Sequence, residues 1–236
     1  MRASKMFKTI FLCSCVIIPT AVNAQFGGLG NALSNALGGD PTPGAVSADD
    51  LVSGYSQLQV NFIEVFRNLL TAQAITAKAL GSQEDAERYA AQATELGSGE
   101  CGANCMDATI TVSQDAMAKS NELLSNADQL DEDSSNQLGG AVPYYLAGTV
   151  ASVQLPGSFL SWADQAAGAV GDISSNPLAA LSHMRLIADI PTVVRIAAAM
   201  PDVISTWLST TGNFVDFANS NGIETGDLET AASQQF

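Results

Sequence analysis

The sequence predicts an all-α protein, an antiparallel helical bundle with one long N-terminal helix and several short helices that begin at prolines. Apolar residues recur every seven positions between residues 51 and 79, which is typical of a helix packed in a bundle. Glycines and capping residues separate the periodic segments, and short turns between helices are typical of antiparallel packing.

The first 24 residues have the organisation of a signal peptide. Basic residues precede an uncharged run at residues 9–18, and small residues lead to Ala24. This pattern predicts export with cleavage after Ala24, and the run is too short to span a membrane. A lipoprotein site at Cys15 is the less favoured alternative, because three apolar residues follow it where a lipoprotein tether is normally polar.

Residues 25–44 are rich in glycine and proline, which predicts a flexible arm ahead of the folded domain. An arm that becomes helical on a partner or membrane is the alternative, because four apolar residues share one helical face: Leu29, Leu33, Ala36 and Leu37.

The folded domain is predicted over residues 45–222, and its first helix runs from a cap at Ser47 or Asp49 to Leu80. Gly81 ends this helix. The expected core positions are Leu51, Tyr55, Leu58, Phe62, Val65, Leu69, Ala72, Thr76 and Ala79, and the apolar stripe is widened to bundle width by Val60, Ile63, Phe66 and Leu70.

Two further helices are predicted before residue 128. A capping arrangement at Ser82 and Asp85 starts a short helix that ends at Gly97, and a longer helix follows over residues 103–127. The acidic residues at 128 and 131–133 do not fit a calcium-binding EF-hand loop, since glycine and glutamate are missing at the required positions. We therefore interpret them as a solvated turn.

The second half of the domain is punctuated by proline. Each proline suits the first turn of a helix and disfavours a helix interior, so helix starts are expected at Pro143, Pro156, Pro177, Pro191 and Pro201. No charged residue occurs between positions 134 and 163, but prolines and glycines interrupt this stretch and argue against an integral membrane span. The last helix is expected to end at residues 219–222, followed by a polar, frayed tail at residues 223–236.

The charge balance excludes nucleic-acid binding. Removal of residues 1–24 leaves six basic residues against 24 acidic ones, and the six are scattered over the chain. A protein that binds a polyphosphate needs a basic surface, which this sequence does not provide.

Cys101 and Cys105 are the cysteines left after leader removal, and they are predicted to form one local disulfide in an oxidising compartment. A redox site is the alternative. The four-residue spacing differs from the C-x-x-C of thiol oxidoreductases, and no basic residue lies nearby to stabilise a thiolate. Two cysteines without a local histidine also do not indicate a metal site.

No catalytic residue is predicted. His183 is the single histidine, and it lies in a segment rich in alanine and leucine, where it is expected to be a packed residue. The acidic residues provide no distinguishable pair for glycosidase chemistry. The sequence therefore predicts neither an enzyme nor a cofactor.

The best candidates for ligand binding are aromatic residues of the second half. Small residues around them leave room for a pocket between short helices, and their rings offer contact area for an apolar molecule. Packing in the core is the alternative. The candidate residues are Tyr144, Tyr145, Trp162 and Trp207.

These observations together favour a non-catalytic binding or structural protein of the bacterial cell envelope, periplasmic or secreted, that works through helix faces. A protein partner or self-association is expected. The alternative function is that of a membrane-active protein or a carrier of a lipid or other apolar ligand, using the uncharged second half.

Overall fold

A computed structural model describes residues 48–99, 101–127, 129–175 and 184–233, which form helices and turns and contain no strand. The all-α prediction is confirmed, while the antiparallel arrangement of the whole bundle stays a prediction. Residues 45–236 form one compact unit. The predicted leader and arm, the helix start at Pro177, and His183 lie outside the described residues.

α1 is central in the bundle, because it contacts each of the next five helices. The helices are α1 Ala48–Ala79, α2 Gln83–Leu96, α3 Ala103–Asn126, α4 Glu132–Gly139, α5 Val142–Ser152, α6 Leu155–Ser175, α7 Met184–Ser220 and α8 Asp227–Ser233.

The seven-residue repeat of α1 forms the core as predicted. All nine expected core positions are buried, and Phe66 and Leu70 join them. Val60 differs from the prediction, because it is 57% exposed. At 100° per residue, Val60 points about 160° away from the buried Leu58, so it lies on the opposite side of the helix.

The boundaries of α2 and α3 agree with the prediction to within a residue. The Ser82 hydroxyl donates to the Asp85 carboxylate at 2.7 Å, and this contact replaces the expected side-chain cap. Gly81 has φ +81°, a conformation that glycine adopts without strain, and it allows the chain to reverse between α1 and α2.

The interpretation of the acidic segment as a solvated turn is wrong for Glu132 and Asp133, which begin a helix, while Asp131 precedes that helix and Asp128 lies outside the described residues. The Asp131 carboxylate accepts a hydrogen bond from the Ser134 amide at 2.7 Å and caps α4. Glu132 and Asp133 then occupy the first turn, where negative charge is favoured by the helix dipole. Leu138 is buried and fixes α4 to the core.

Pro143 and Pro156 lie in the first turns of α5 and α6 as predicted, but Pro191 and Pro201 lie inside the 37-residue helix α7. The helix starts expected at these two prolines are therefore wrong. Both rings are exposed. A continuous buried stripe runs past them and offsets the lost hydrogen bonds: Ile190, Val193, Ile196, Ala197, Met200, Val203, Ile204 and Trp207.

The C-terminal segment is more ordered than the frayed tail predicted for it. α7 ends at Ser220, and Gly222 has φ +73° in the turn that follows. Asp227–Ser233 then forms α8, which contacts α5 and α7 and buries Leu228. Burial of this leucine stabilises the position of α8, and the polar composition of the segment gave no indication of it.

Candidate functional site

Two of the four predicted ligand-binding residues are stacked in the core. The Tyr145 ring lies 4.9 Å from the Trp207 ring and 4.1 Å from the Phe214 ring, and both pairs are nearly parallel. The Trp207 Nε1 donates to Thr149 Oγ1 at 3.1 Å. All of these ring surfaces are covered by protein atoms.

The Tyr145 hydroxyl is enclosed between helices. It lies 3.4 Å from Thr76 Oγ1 of α1. Burial raises the pKa of Tyr145 to about 12, because the ionised phenolate would lose its hydration. This hydroxyl is therefore neutral at physiological pH and is not poised for acid–base chemistry.

Gly148 allows the close packing of α5 on α1 beside this aromatic stack. A Cβ atom at this position would lie 2.7 Å from Leu69 Cδ1 and 3.4 Å from Trp207 Cζ2. The backbone of α5 can approach α1 this closely because glycine has no side chain.

Trp162 lies in a different part of the core, at the N-terminal end of α1. Its Nε1 donates to the Leu51 carbonyl oxygen at 3.1 Å, and its ring lies 5.4 Å from the Tyr55 ring. The Tyr55 hydroxyl donates to Asp189 Oδ2 at 3.0 Å and so links α1 to α7. The structure therefore brings Tyr145 and Trp207 together and places Trp162 apart from them.

Tyr144 is the fourth predicted residue, and it alone of the four is exposed, to 39%. It lines an open groove of about 1070 Å³ on the face of α1 that points away from the core. We call this the α1 groove. Its floor is formed by Val60, Ile63, Glu64, Arg67, Asn68, Thr71, Ala74, Ile75 and Lys78, one wall by α2, and Tyr144 of α5 also lines it.

Small side chains and the larger Gln83, Glu87 and Thr94 together form the α2 wall. Ala86, Ala90 and Ala93 line the groove along α2, with Gly97 at the end of the helix. Such residues allow another helix to approach closely, at the short interaxial distances of helix packing. The groove extends from Val60 to Lys78, which corresponds to roughly 27 Å along α1.

Arg67 and Lys78 distinguish the α1 groove electrostatically. Among the described side chains, these are the two lysines or arginines without an ion pair within 4 Å. The other described cations are paired: Arg88 with Asp85 and Asp115, Lys119 with Glu122, and Arg195 with Asp107. A Cβ on Gly97 would lie 3.6 Å from Arg67 Cζ, so this guanidinium lies at the C-terminal end of α2, where the helix dipole favours positive charge.

Glu64 and Glu87 also line the α1 groove, so its charge is mixed and not purely basic. Glu87 Oε1 accepts a hydrogen bond from Gln83 Nε2 at 2.7 Å. Arg67 and Lys78 are eleven residues apart on α1, which is about three helical turns, and they project in nearly the same direction.

The disulfide lies at the corner between α2 and α3. Cys101 and Cys105 have their sulfur atoms at bonding distance, as predicted. Gln59 Nε2 of α1 donates to the Cys101 carbonyl oxygen at 2.9 Å, which fixes this corner to the long helix.

The α1 groove was missed by the sequence reasoning. Val60 was assigned to the apolar stripe of the core but is exposed in the groove, whereas Ile63 packs against the core as predicted and also lines the groove. Arg67 and Lys78 provided a usable signal for this exposed surface, because both charged residues lie on the side of α1 opposite the seven-residue repeat.

The described part of the chain contains no cluster of three histidine, cysteine, aspartate or glutamate side chains suited to a metal ion. Nor does any helix within it combine the length and apolar character that crossing a bilayer requires. No protein-family model, curated protein or solved structure matches the chain.

Proposed function

We propose that the chain is an exported, non-catalytic helical protein of the bacterial cell envelope that binds a partner protein through the α1 groove. The observation that carries this proposal is the position of the groove, which lies open on the outer face of the central helix. Small-molecule sites bury most of their ligand, whereas an open channel between helices suits a macromolecular surface.

The positions of the aromatic residues also support binding at the surface. Tyr145, Trp162 and Trp207 contact other core side chains with their rings, while Tyr144 faces the α1 groove. A partner on the groove would therefore contact Tyr144 together with Val60, which is 57% exposed.

Two features support export. The first 24 residues have the order of basic, apolar and small residues that a signal peptide needs. The Cys101–Cys105 disulfide suits an oxidising compartment such as the periplasm. N-terminal sequencing of protein from the periplasmic fraction is expected to begin at Gln25, and a start at Met1 would contradict export by cleavage.

Site-specific photo-crosslinking in cells tests the binding role. A photoreactive amino acid at Val60 or Tyr144 is expected to yield a discrete protein adduct, whereas the same group at Val150 should not. Val150 is a matched control because it is 59% exposed but does not line the groove. Equal labelling from all three positions, or no adduct from the groove, would overturn the proposal. A lipid retained in native mass spectrometry, without a groove adduct, would favour the carrier function instead.

A further inference from the structure

We infer that the partner element bound by the α1 groove is an amphipathic helix of about five turns, with an apolar stripe and two acidic residues about three turns apart. This inference rests on the proposed function and names the class of partner for the same site. The length follows from the groove, which extends from Val60 to Lys78 along α1.

The shape of the groove favours a helix. Its floor is a helix and one of its walls is a second helix, so a third helix can lie in the channel between their side-chain ridges. Ala90 is the exposed alanine of the α2 wall, and its small side chain leaves room for the backbone of that helix to approach. A peptide that binds by strand addition would need the exposed backbone donors and acceptors of a sheet edge, which a helical surface does not offer.

Apolar contacts in the groove define one face of the partner. Val60 is 57% exposed and Tyr144 39% exposed, and the half-buried Ile75 lines the groove with them while also packing against the core. Apolar side chains spaced by three or four residues on the partner would bury this surface. Such burial supplies most of the affinity, because exposed ion pairs contribute little.

Charge complementarity sets the acidic positions of the partner. The chain as a whole has a net charge of −15, which repels an acidic partner from most of its surface. Arg67 and Lys78 are the exception, because they present positive charge to the groove without an ion pair among the described residues. A partner with carboxylates eleven residues apart meets both cations at once.

Glu64 and Glu87 restrict the partner further. Glu64 lies one turn before Arg67 on α1, and Glu87 lies on the α2 wall, so a uniformly acidic helix would be repelled between and beside the two cations. The groove therefore selects two acidic positions in a helix that is otherwise neutral on that face.

Three synthetic peptides test this inference. The probe is a fluorescein-labelled, 18-residue helical peptide with a leucine stripe and two glutamates eleven positions apart. In a second peptide both glutamates are lysines, and in a third the leucines are serines. Fluorescence anisotropy with the full exported chain is expected to show severalfold tighter binding of the glutamate peptide than of the lysine peptide, and at least about tenfold tighter binding than of the serine peptide.

Charge-reversed proteins locate the binding. In the Arg67→Glu/Lys78→Glu variant the preference is expected to reverse, so that the lysine peptide binds more tightly. Lys119→Glu/Arg195→Glu is the matched control, because it changes the net charge equally at two cations outside the groove and should keep the original order. Circular dichroism checks that both variants remain helical.

Several results would overturn this inference. They are a groove variant that keeps the original order of affinities, a serine peptide that binds as well as the leucine peptide, and absence of binding by any peptide. Displacement of the bound probe by phosphatidylglycerol vesicles, but not by excess unlabelled peptide, would assign the groove to a lipid surface. If crosslinks still form at Val60 while the peptides fail, the partner class is wrong and the proposed binding function stands.

Discussion

Tyr145 shows how a single side chain is used in this core. Its ring stacks on Trp207 and Phe214, and its hydroxyl approaches Thr76 of the neighbouring helix. The aromatic contacts stabilise the junction of α1, α5 and α7. Burial of the Tyr145 hydroxyl favours its neutral form over the ionised phenolate. This combination makes Tyr145 a pH-sensitive part of the fold.

Replacement of Tyr145 tests this property at alkaline pH. The folded-state pKa of Tyr145 is raised to about 12, above the ordinary value of 10, so the stability from its neutral form is present below pH 10 and is lost as pH rises from 10 to 12. Wild-type protein should lose up to about 3 kcal/mol over this interval through Tyr145, and Tyr145→Phe should lose less. The urea concentrations at half-unfolding, measured at pH 8, 10 and 12 for both proteins, give this difference. An equal loss of stability with pH in the two proteins would refute it.

Gly148 is a second position where one side chain decides the packing. Gly148→Ala forces a methyl group against Leu69 and Trp207 and is expected to lower the free energy of unfolding by about 1–3 kcal/mol. Gly212 is the matched control, since it lies inside α7 and a Cβ there meets no atom within 4 Å. Gly212→Ala should instead stabilise by up to about 1 kcal/mol through helix propensity. Thermal denaturation compares the two, and a stabilised Gly148→Ala variant would contradict the packing account.

At the scale of a helix, α7 shows where a buried stripe overrides local propensity. Pro191 and Pro201 each remove a backbone donor, yet the helix continues because apolar residues on both sides of each proline pack against the core. The exposed position of both rings keeps them away from the packed face. Proline therefore costs α7 stability without ending it.

Substitution of Pro201 measures that cost. Pro201→Ala restores a backbone donor inside α7 and is expected to raise the free energy of unfolding by about 1–3 kcal/mol. Pro156→Ala is the control, because Pro156 lies in the first turn of α6, where no intrahelical bond is lost. Chemical denaturation should show a near-neutral effect for Pro156→Ala. A destabilised Pro201→Ala would contradict the account in which the proline costs α7 stability.

The competition between buried packing and local propensity also explains how far the sequence predicted the helices. The seven-residue repeat of α1 identified its core correctly, because a helix with one strongly apolar face has one stable way to bury it. The prolines of α7 and the acidic cap at Asp131 were misjudged, because each depends on packing or on a side-chain bond that local composition does not reveal. Val60 was misassigned because it lies on the side of α1 opposite the buried Leu58, which a count of apolar residues near the repeat does not reveal.

At the scale of the whole molecule, the site was harder to predict than the fold. Aromatic residues signal both cores and pockets, and the sequence cannot tell which of Tyr144 and Tyr145 points outwards. The two differ by 100° around α5, and this rotation leaves one exposed and the other enclosed. The α1 groove depends on which helices flank α1, which is a property of the assembled bundle.

The disulfide makes a small contribution to the stability of the whole molecule. It closes a loop with a sequence separation of four, so the chain-entropy model assigns it about 2 kcal/mol. The double variant Cys101→Ser/Cys105→Ser should therefore unfold at lower denaturant concentration but keep the helical circular dichroism of the wild type. Loss of helical structure without denaturant would show that the bond is required for folding.

The two tryptophans give the protein built-in fluorescent reporters for two separate regions of its core. Trp162 lies beside Leu51 and Trp207 beside Gly148, which packs on Leu69, so the indoles monitor regions roughly 27 Å apart along α1. Single-tryptophan proteins, Trp162→Phe and Trp207→Phe, allow the emission of each to be followed during denaturation. Coincident fluorescence transitions would identify a single cooperative unit, whereas separated ones would show which of the two regions opens first.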